Sequence, residues 1–378
     1  MKKIKVVTVV GTRPEVIRLS CVLRRLDKYM DHVLVHTGQN YDYELNQIFF
    51  EDLELREPDY VLDSNGSPCE TIGKMFISLD PILEKENPDA LLVLGDTNSC
   101  LSGIVAKRRM IPVFHMEAGN RCFDQRVPEE INRKIVDHSS DINLVYSELE
   151  RLNLLKEGLP ADRIIKTGAP MREVLDYYAE KIDSSSILNT MKLSASDYFV
   201  FSCHRQENIE TEEKFKGMVN ILESLARVYG KRIIFSTHPR TANKLRERGV
   251  KLPSLVENIK PLSFSDYNKL QKEAKCVISD SGTLTEESSI VNFPALNIRD
   301  SHERPAGMDE ANVMMVSMDA NKVLQGLAIL EDQGKGGRRT IYTHDDYNID
   351  NVSDKVVRVV LSYCHYVKRT VWFDKDFI

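Results

Sequence analysis

An α/β protein built of two doubly wound parallel-sheet (Rossmann-like) domains is the fold this sequence predicts, on three observations. Short β-branched runs alternate with longer helical stretches from end to end, the pattern of parallel strands joined by right-handed crossovers. Six such runs fall in each half of the chain. At 378 residues the chain exceeds one ordinary core, and two domains of about 100–200 residues are the natural division.

The first half offers IKVVTVV (4–10), HVLVHT (32–37), ALLVLG (90–95), IPVFHM (111–116), INLVY (142–146) and the weaker RIIKTG (163–168). The second offers YFVFSC (198–203), RIIFST (232–237), NIKPL (258–262), CVIS (276–279), ALNI (295–298) and VMMVS (313–317). Helical segments such as VIRLSCVLRRLDKY and EEKFKGMVNILESLARVYG separate most of them. The charged stretch between Gly168 and Asp197 marks the boundary, placing one domain at 1–170 and a second, nucleotide-binding one at 171–363. The stretch from Asp354 to Lys368 reads as helix. By fold analogy it crosses back, so that about 364–378 joins the first domain. GKGGRR (334–339) reads as a mobile surface loop, because it lacks the spacing and flanking strand of a phosphate loop.

Composition narrows the function. A hydrophobic content of 42% with 29% charged residues describes a soluble globular protein, and a net charge of −6 argues against a nucleic-acid partner. Seven scattered cysteines with no CxxC pair suggest small core residues in a reducing compartment, not a zinc or redox centre. The basic and apolar start MKKIKVVTVVGTRPE is too short for a signal peptide and runs straight into a turn, so it reads as a first strand. Nothing in the sequence approaches the roughly 18 apolar residues that span a bilayer. The expectation is a cytoplasmic protein with no membrane partner.

Three carboxylates sit where a strand or helix meets a loop. Asp96 ends ALLVLGD, Glu117 ends IPVFHME and Glu129 opens PEEINRKIVDH. In an open parallel sheet the loops after the strand ends gather on one edge, where ligands bind. A cap or a surface charge explains any one of them alone. All three together, with Arg121 and Arg133 close behind, point to a catalytic cleft.

Two loops have the makings of anion sites. In GTRPE, Gly11 permits a tight turn, Pro14 suits a first helical turn, and Arg13 can neutralise a phosphate with Arg18 one turn further on. A plain strand-to-helix turn with a surface arginine satisfies the same pattern. In CVISDSGTLTEESS a strand leads through Asp280-Ser281-Gly282 into a helix near Thr283, whose open N–H groups suit a diphosphate. Glu286 or Glu287, one turn inside, can accept from both ribose hydroxyls. HRQEN puts His204 and Arg205 at a strand end, where the histidine suits a proton donor or phosphate ligand. STHPR does the same for His238 and Arg240, with a structural histidine equally in view. On the PEEINR helix Glu129 and Arg133 share one face and Ile131 and Ile135 another. The helix can therefore pack on its isoleucines and aim the charged pair at the cleft, although an exposed ion pair has the same spacing.

GTRPE, HTGQNYD, LGDTNS, HMEAGNR, PEEINR, HRQEN, THPR, DSGTLTEE and RDSHERP stand in that order from Lys3 to about Pro305. Together they resemble the non-hydrolysing UDP-N-acetylglucosamine 2-epimerase family. The longer forms HTGQNYDYELNQIFFEDLELREPDY, LGDTNSCLS, HMEAGNRCFDQ and PEEINRKIVDHSSDINL are similar to its UDP-N-acetyl-L-fucosamine synthase branch, which serves capsule and O-antigen synthesis. The resemblance implies a type-B glycosyltransferase-like fold, a homodimer, a UDP-sugar substrate and no cofactor, neither nicotinamide nor metal. Carried over motif by motif, it gives Asp96, Glu117, Glu129 and His204 the catalytic places. It gives Arg13, Arg18, Arg133, His238, Ser281, Gly282, Glu287 and Arg304 contacts to UDP or substrate. Asn120 and Cys122 after EAG, and Gln206 after HR, depart from the commoner pattern and bear on substrate identity and on activation by a second UDP-sugar. The implied reaction inverts C2 of UDP-2-acetamido-2,6-dideoxy-β-L-talose. UDP-GlcNAc to UDP-ManNAc is the alternative within the family, and a type-B-fold glycosyltransferase is the reading of another class.

Overall fold

The computed structural model describes residues 3–38, 47–125, 127–237, 239–301 and 304–374. The chain divides into two units, Met1–Tyr177 with Asp346–Ile378, and Tyr178–Asp345.

The first unit is a seven-stranded parallel sheet. Its strands are β1 (Lys5–Val10), β2 (Asp31–His36), β3 (Tyr60–Val61), β4 (Ala90–Leu94), β5 (Val113–Met116), β6 (Ile142–Val145) and β7 (Ile164–Lys166), in the order β3-β2-β1-β4-β5-β6-β7. Val6, Val7, Val9, Val10 and Leu91 to Leu94 are all buried, so neighbours on both faces are covered. This is why these strands read as continuous apolar runs instead of alternating ones. β3 was not expected from the sequence: its two residues, on the edge of β2, stand among charged ones.

The helix Arg13–Tyr29 buries Leu19, Leu23 and Leu26, and the helix Val352–Val371 packs on it. That last helix buries Val352, Val356, Val360, Cys364 and Val367, a stripe spaced by three and four residues that runs its whole length. The return to the first unit therefore begins at Asp346, well before the expected residue 364. Polar ties fasten its start: Ala169 N donates to the Asp346 carbonyl at 2.9 Å, and Ser353 N to Glu173 Oε2 at 2.8 Å.

The second unit carries β8 (Tyr198–Ser202), β9 (Arg232–Ser236), β10 (Val256–Ile259), β11 (Cys276–Ser279), β12 (Ala295–Asn297) and β13 (Met314–Met315), all parallel, in the order β10-β9-β8-β11-β12-β13. Phe199, Phe201 and Phe235 centre its core. The expected mobile loop at 334–339 is instead tied down. Asn292, which ends the helix Leu284–Val291, donates from Nδ2 to the carbonyls of Gly336 at 2.7 Å and Arg338 at 3.0 Å. Lys335 Nζ donates to the Ala274 carbonyl at 2.9 Å.

Each sheet has one place where the strand order reverses, between β1 and β4 and between β8 and β11. The carboxyl ends of those strands border the crevice in which doubly wound sheets bind ligands. The sequence motifs fall there: GTRPE after β1, GDTNS after β4, HRQEN after β8 and DSGT after β11. Of the seven cysteines, all free, five are buried while Cys69 is exposed and Cys122 half-buried.

The return helix should contribute stability through its apolar stripe. Val360→Ala, at a fully buried position, is expected to lower unfolding free energy by about 2 kcal/mol. Urea unfolding of the variant measures this, and a change below about 0.5 kcal/mol would contradict the packing described.

Candidate active site

At the reversal point of the first unit, Glu15 is the buried hub. Its Oε2 accepts from the backbone N–H groups of Gly11 at 2.5 Å and Thr12 at 3.2 Å, both in its own loop. Its Oε1 accepts from Ser99 Oγ at 2.6 Å and from the Thr97 hydroxyl, both in the loop after β4. Burial pushes its carboxyl above the usual range, against the four hydrogen bonds that favour the ionised form. Sequence reading passed over this residue because a glutamate in a first helical turn is ordinary capping.

Asp96 sits between the strand end and Thr97. Arg133 donates to its Oδ2 from Nε at 2.8 Å and from Nη2 at 2.6 Å, and Asn132 Nδ2 donates to its carbonyl at 2.9 Å. Both partners come from the helix Pro128–Ser139. That helix does not pack as expected: Ile131 is 54% and Ile135 41% exposed, while Glu130, Arg133, Val136 and Asp137 are buried. Arg133 pairs with Asp96 and, through Nη1 at 2.9 Å, with Glu130. The charged face turns inward because partners satisfy every charge on it, and the isoleucines are left to solvent. Glu130 also accepts from the backbone N–H groups of Cys122 at 3.1 Å and Phe123 at 3.3 Å. Glu129, in the first turn, is half-buried.

Glu117 follows β5 in the left-handed region, with φ of 66°, which is uncommon for a residue with a side chain and marks local strain. Arg18 Nη1 and the Tyr146 hydroxyl, the latter at 3.3 Å, donate to its Oε2, and Asn120 Nδ2 donates to Oε1 at 3.4 Å. The strained turn is held from behind. Asp137 accepts from Gly119 N at 3.1 and 3.2 Å and from Arg121 Nη1 at 2.7 Å, and its Oδ1 lies 2.8 Å from His115 Nδ1. His115 Nε2 is 2.8 Å from the carbonyl of Gly95. One buried cluster thus braces the loop carrying Glu117 against the residue before Asp96. Gly119, at φ 77°, is required: a Cβ there would lie 2.4 Å from the Glu150 carbonyl oxygen. Neither His115 nor Asp137 stood out in the sequence, being an ordinary strand residue and an ordinary helix residue.

Arg13 is half-buried, its guanidinium carbon lying over the Phe49 ring, 5.6 Å from the centroid. The first unit therefore gathers Arg18, Asp96, Glu117 and Arg133 around the ends of β1, β4 and β5.

The second unit repeats the device. Asp280, fully buried, accepts through Oδ2 from His204 N at 3.0 Å, Arg205 N at 2.9 Å and Asn208 Nδ2 at 3.1 Å, all beyond β8. Its Oδ1 is 3.0 Å from His204 Nδ1. Burial alone would raise its carboxyl, but the charge and hydrogen bond of His204, with Arg205 N–H and Asn208, carry it well below the usual range. His204 thus has Nδ1 engaged and a partly exposed ring. Ser281 and Gly282 are half-buried at the start of the helix Leu284–Val291, and Ser281 Oγ lies 3.0 Å from Thr283 Oγ1. Of the two acids inside that helix, Glu286 is fully buried and takes Arg304 Nε at 2.5 Å. Arg304 is therefore held in an internal ion pair. Glu287 takes Gln271 Nε2 at 2.9 Å. His238 lies outside the described residues. Among the described residues no group of three or more His, Cys, Asp or Glu side chains converges as a metal site would.

The chain is similar to known proteins along most of its length. A family model described as UDP-N-acetylglucosamine 2-epimerase matches residues 24–361. The structure of a UDP-N-acetylglucosamine 2-epimerase from Rickettsia bellii is 50% identical, with a TM-score of 0.91 covering 98% of this chain and all of that one. The Methanocaldococcus jannaschii UDP-GlcNAc 2-epimerase, solved in complex with UDP-GlcNAc and UDP, is 32% identical at a TM-score of 0.89, covering 95% of this chain and all of that one. A UDP-2,3-diacetamido-2,3-dideoxy-D-glucuronate 2-epimerase from Pseudomonas aeruginosa is 32% identical over 79% of this chain and 84% of its own.

Asp280 also makes a pH-dependent prediction. Its folded value lies below the unfolded one near 3.8, so its stabilisation is present above about pH 4 and is lost as pH falls further. Asp280→Asn should therefore unfold more easily than wild type at pH 7, with the difference narrowing below about pH 4. Chemical denaturation across that range tests it, and a difference independent of pH would contradict the assignment.

Proposed function

We propose, since this chain belongs to the UDP-N-acetylglucosamine 2-epimerase family, that it inverts C2 of a UDP-2-acetamido sugar by eliminating UDP and adding it back. The protein is an isomerase. C2 of such a sugar is not beside a ketone, so simple enolisation cannot remove its proton. A base instead takes the C2 proton while the C–H electron pair forms the C1–C2 double bond and the C1–oxygen bond breaks. UDP leaves, and a 2-acetamidoglycal remains. In the return step a UDP oxygen attacks C1 and C2 takes a proton on the opposite face. The route asks for two proton-transfer groups and for stabilisation of the departing diphosphate.

The observation that carries this reading is the pair of carboxylates, Asp96 and Glu117, on loops that His115 and Asp137 brace together. Glu117 accepts from Arg18, Tyr146 and Asn120, contacts that hold its carboxyl group in place, and it is assigned the role of base. Glu129, in the first turn of the neighbouring helix, belongs to the same proton-transfer set. Arg13, Arg18, Arg133, His204 and the Ser281–Gly282 helix start are assigned to UDP, with Glu287 accepting from ribose. His238 and Arg304 complete the carried-over contacts, Arg304 acting through Glu286.

The finer reading is UDP-2-acetamido-2,6-dideoxy-β-L-talose as substrate and UDP-N-acetyl-β-L-fucosamine as product, feeding capsule or O-antigen assembly in the cytoplasm. The motif forms from His36 to Leu144 support it. The Pseudomonas aeruginosa relative, named for a uronate substrate, lends weight to a scaffold that accommodates change at C6. UDP-GlcNAc is the second reading, favoured by the names of the Rickettsia and Methanocaldococcus relatives. A homodimer is part of the proposal, and the exposed Ile131 and Ile135 offer apolar surface for it.

Glu117→Gln should lower kcat by about 10²–10⁴-fold while calorimetry shows UDP affinity near wild type. Turnover close to wild type would remove Glu117 from the mechanism. The sugar is decided by kcat/KM on the two substrates. A site shaped for a methyl group rejects an added hydroxyl by only about 10²-fold, so weak activity on UDP-GlcNAc is compatible with the L-sugar assignment. A higher value for UDP-GlcNAc would overturn the L-sugar assignment.

A further inference from the structure

The helix Phe264–Glu273 reaches the strand-end edge of the second unit at two places. Tyr267 and Gln271, four residues apart, share one of its faces. The Tyr267 hydroxyl is 3.5 Å from Ser202 Oγ at the end of β8, and Gln271 Nε2 donates to Glu287 Oε2 at 2.9 Å. Ser202 Oγ in turn lies 2.6 Å from Ser279 Oγ at the end of β11. The helix thus meets the unit at the point where strand order reverses. Gln271 is 1% exposed and Glu287 9%. Among the described residues the Gln271 side chain hydrogen-bonds to Glu287 and to nothing else. Burying a glutamine gives up much rotamer freedom, and an apolar side chain is the ordinary choice for an inward helix face. The amide is therefore explained by Glu287, whose buried charge needs donors, and Glu287 by what it binds.

We propose that Gln271 is a positioning residue for the nucleotide. Its amide, together with the other contacts that Glu287 makes, sets the Glu287 carboxylate in the orientation that accepts from the ribose hydroxyls. The inference rests on the reading that Glu287 binds ribose. The final torsion of a glutamate is broad, and a carboxylate is planar, so a donor at Oε2 sets the direction of both oxygens at once. Ribose presents its 2′ and 3′ hydroxyls as neighbours at a fixed spacing, and accepting from both asks for one carboxylate orientation. A carboxylate has about four acceptor positions, so Gln271 takes one and leaves room for the two hydroxyls. Gln271 stands on a helix that buried Phe264 and Leu270 pack in place, and support from such an element is more precise than support from a loop.

Calorimetry of the full chain with UDP and with 2′,3′-dideoxy-UDP separates this role from packing. Wild type should prefer UDP by at least about tenfold, because a site built to hydrogen-bond a hydroxyl rejects the analogue that lacks it. Gln271→Met keeps the length of the side chain and removes the donor. It should weaken UDP about 3–10-fold and leave dideoxy-UDP near its wild-type affinity, raising KM for the UDP-sugar while kcat holds. Gln271→Leu, a second apolar replacement, should narrow the preference in the same way. In a Glu287→Ala background, where the preference is lost, Gln271→Met should not alter the ratio further. Equal weakening of both nucleotides in the Gln271 variants would mean packing alone and overturn the inference, as would an unchanged preference. A wild type without any preference, or a Glu287→Ala variant that keeps it, would strike the ribose reading and take the Gln271 role with it. Loss of the preference in Glu287→Ala beside its retention in Gln271→Met strikes the inference alone.

Discussion

A buried carboxylate that ties together two strand-end loops is the interaction on which the rest of the site depends, and it occurs once in each unit. Glu15 joins the loop after β1 to the loop after β4, and Asp280 joins the loop after β11 to the loop after β8. In both sheets these loops flank the point where strand order reverses. Parallel strands end in open N–H groups, and adjacent crossovers diverge there, so nothing in the sheet itself fixes one loop against its neighbour. A carboxylate with four acceptor positions can do so if it is buried and its partners are all donors. Both acids meet that condition.

Order then spreads outward from these ties. In the first unit, Thr97 and Ser99 hold the segment after Asp96, and His115 holds the carbonyl before it. Asp137 in turn supports the left-handed turn at Glu117. The two acids assigned to proton transfer are thus set by backbone contacts on either side, and their side chains are set by Arg133 and Arg18. Catalytic groups need such support, because an error of about an ångström at the reacting atoms can be costly. In the second unit, Asp280 performs the same service for His204, engaging Nδ1 and turning Nε2 to the other side of the ring. The buried polar face of the helix Pro128–Ser139 follows from this arrangement: its charges serve the loops instead of the solvent.

Much of the fold was legible in the sequence because parallel strands covered on both faces leave unbroken apolar runs, and each expected run contains or adjoins an observed strand. β3 was not, since Tyr60–Val61 stands among the charged residues of REPDYVLD and makes no apolar run of the kind that marks β13. The return helix was legible over Asp354–Lys368, but the point at which the chain rejoins the first unit, Asp346, was not, because that crossing is fixed by tertiary contacts and not by a local pattern. At the site, Asp96, Glu117 and His204 were legible as polar residues placed just beyond apolar strands. Glu15, Asp137 and Asp280's hold on His204 were not, because bracing depends on which loops meet across the sheet. The helix Pro128–Ser139 misled for a related reason. Periodicity shows which residues share a face but not which face turns inward, and here the buried one is the charged one.

In the proposed reaction a base must be held against C2 while UDP departs and returns, and proton exchange at C2 is the step that sets this chemistry apart from sugar transfer. The most direct test is proton NMR of the enzyme with a UDP-2-acetamido sugar in D2O. The account predicts product whose C2 carries deuterium, with no requirement for an added acceptor. Epimerised product that retains the original C2 hydrogen, or transfer of the sugar to an acceptor without any exchange at C2, would contradict it.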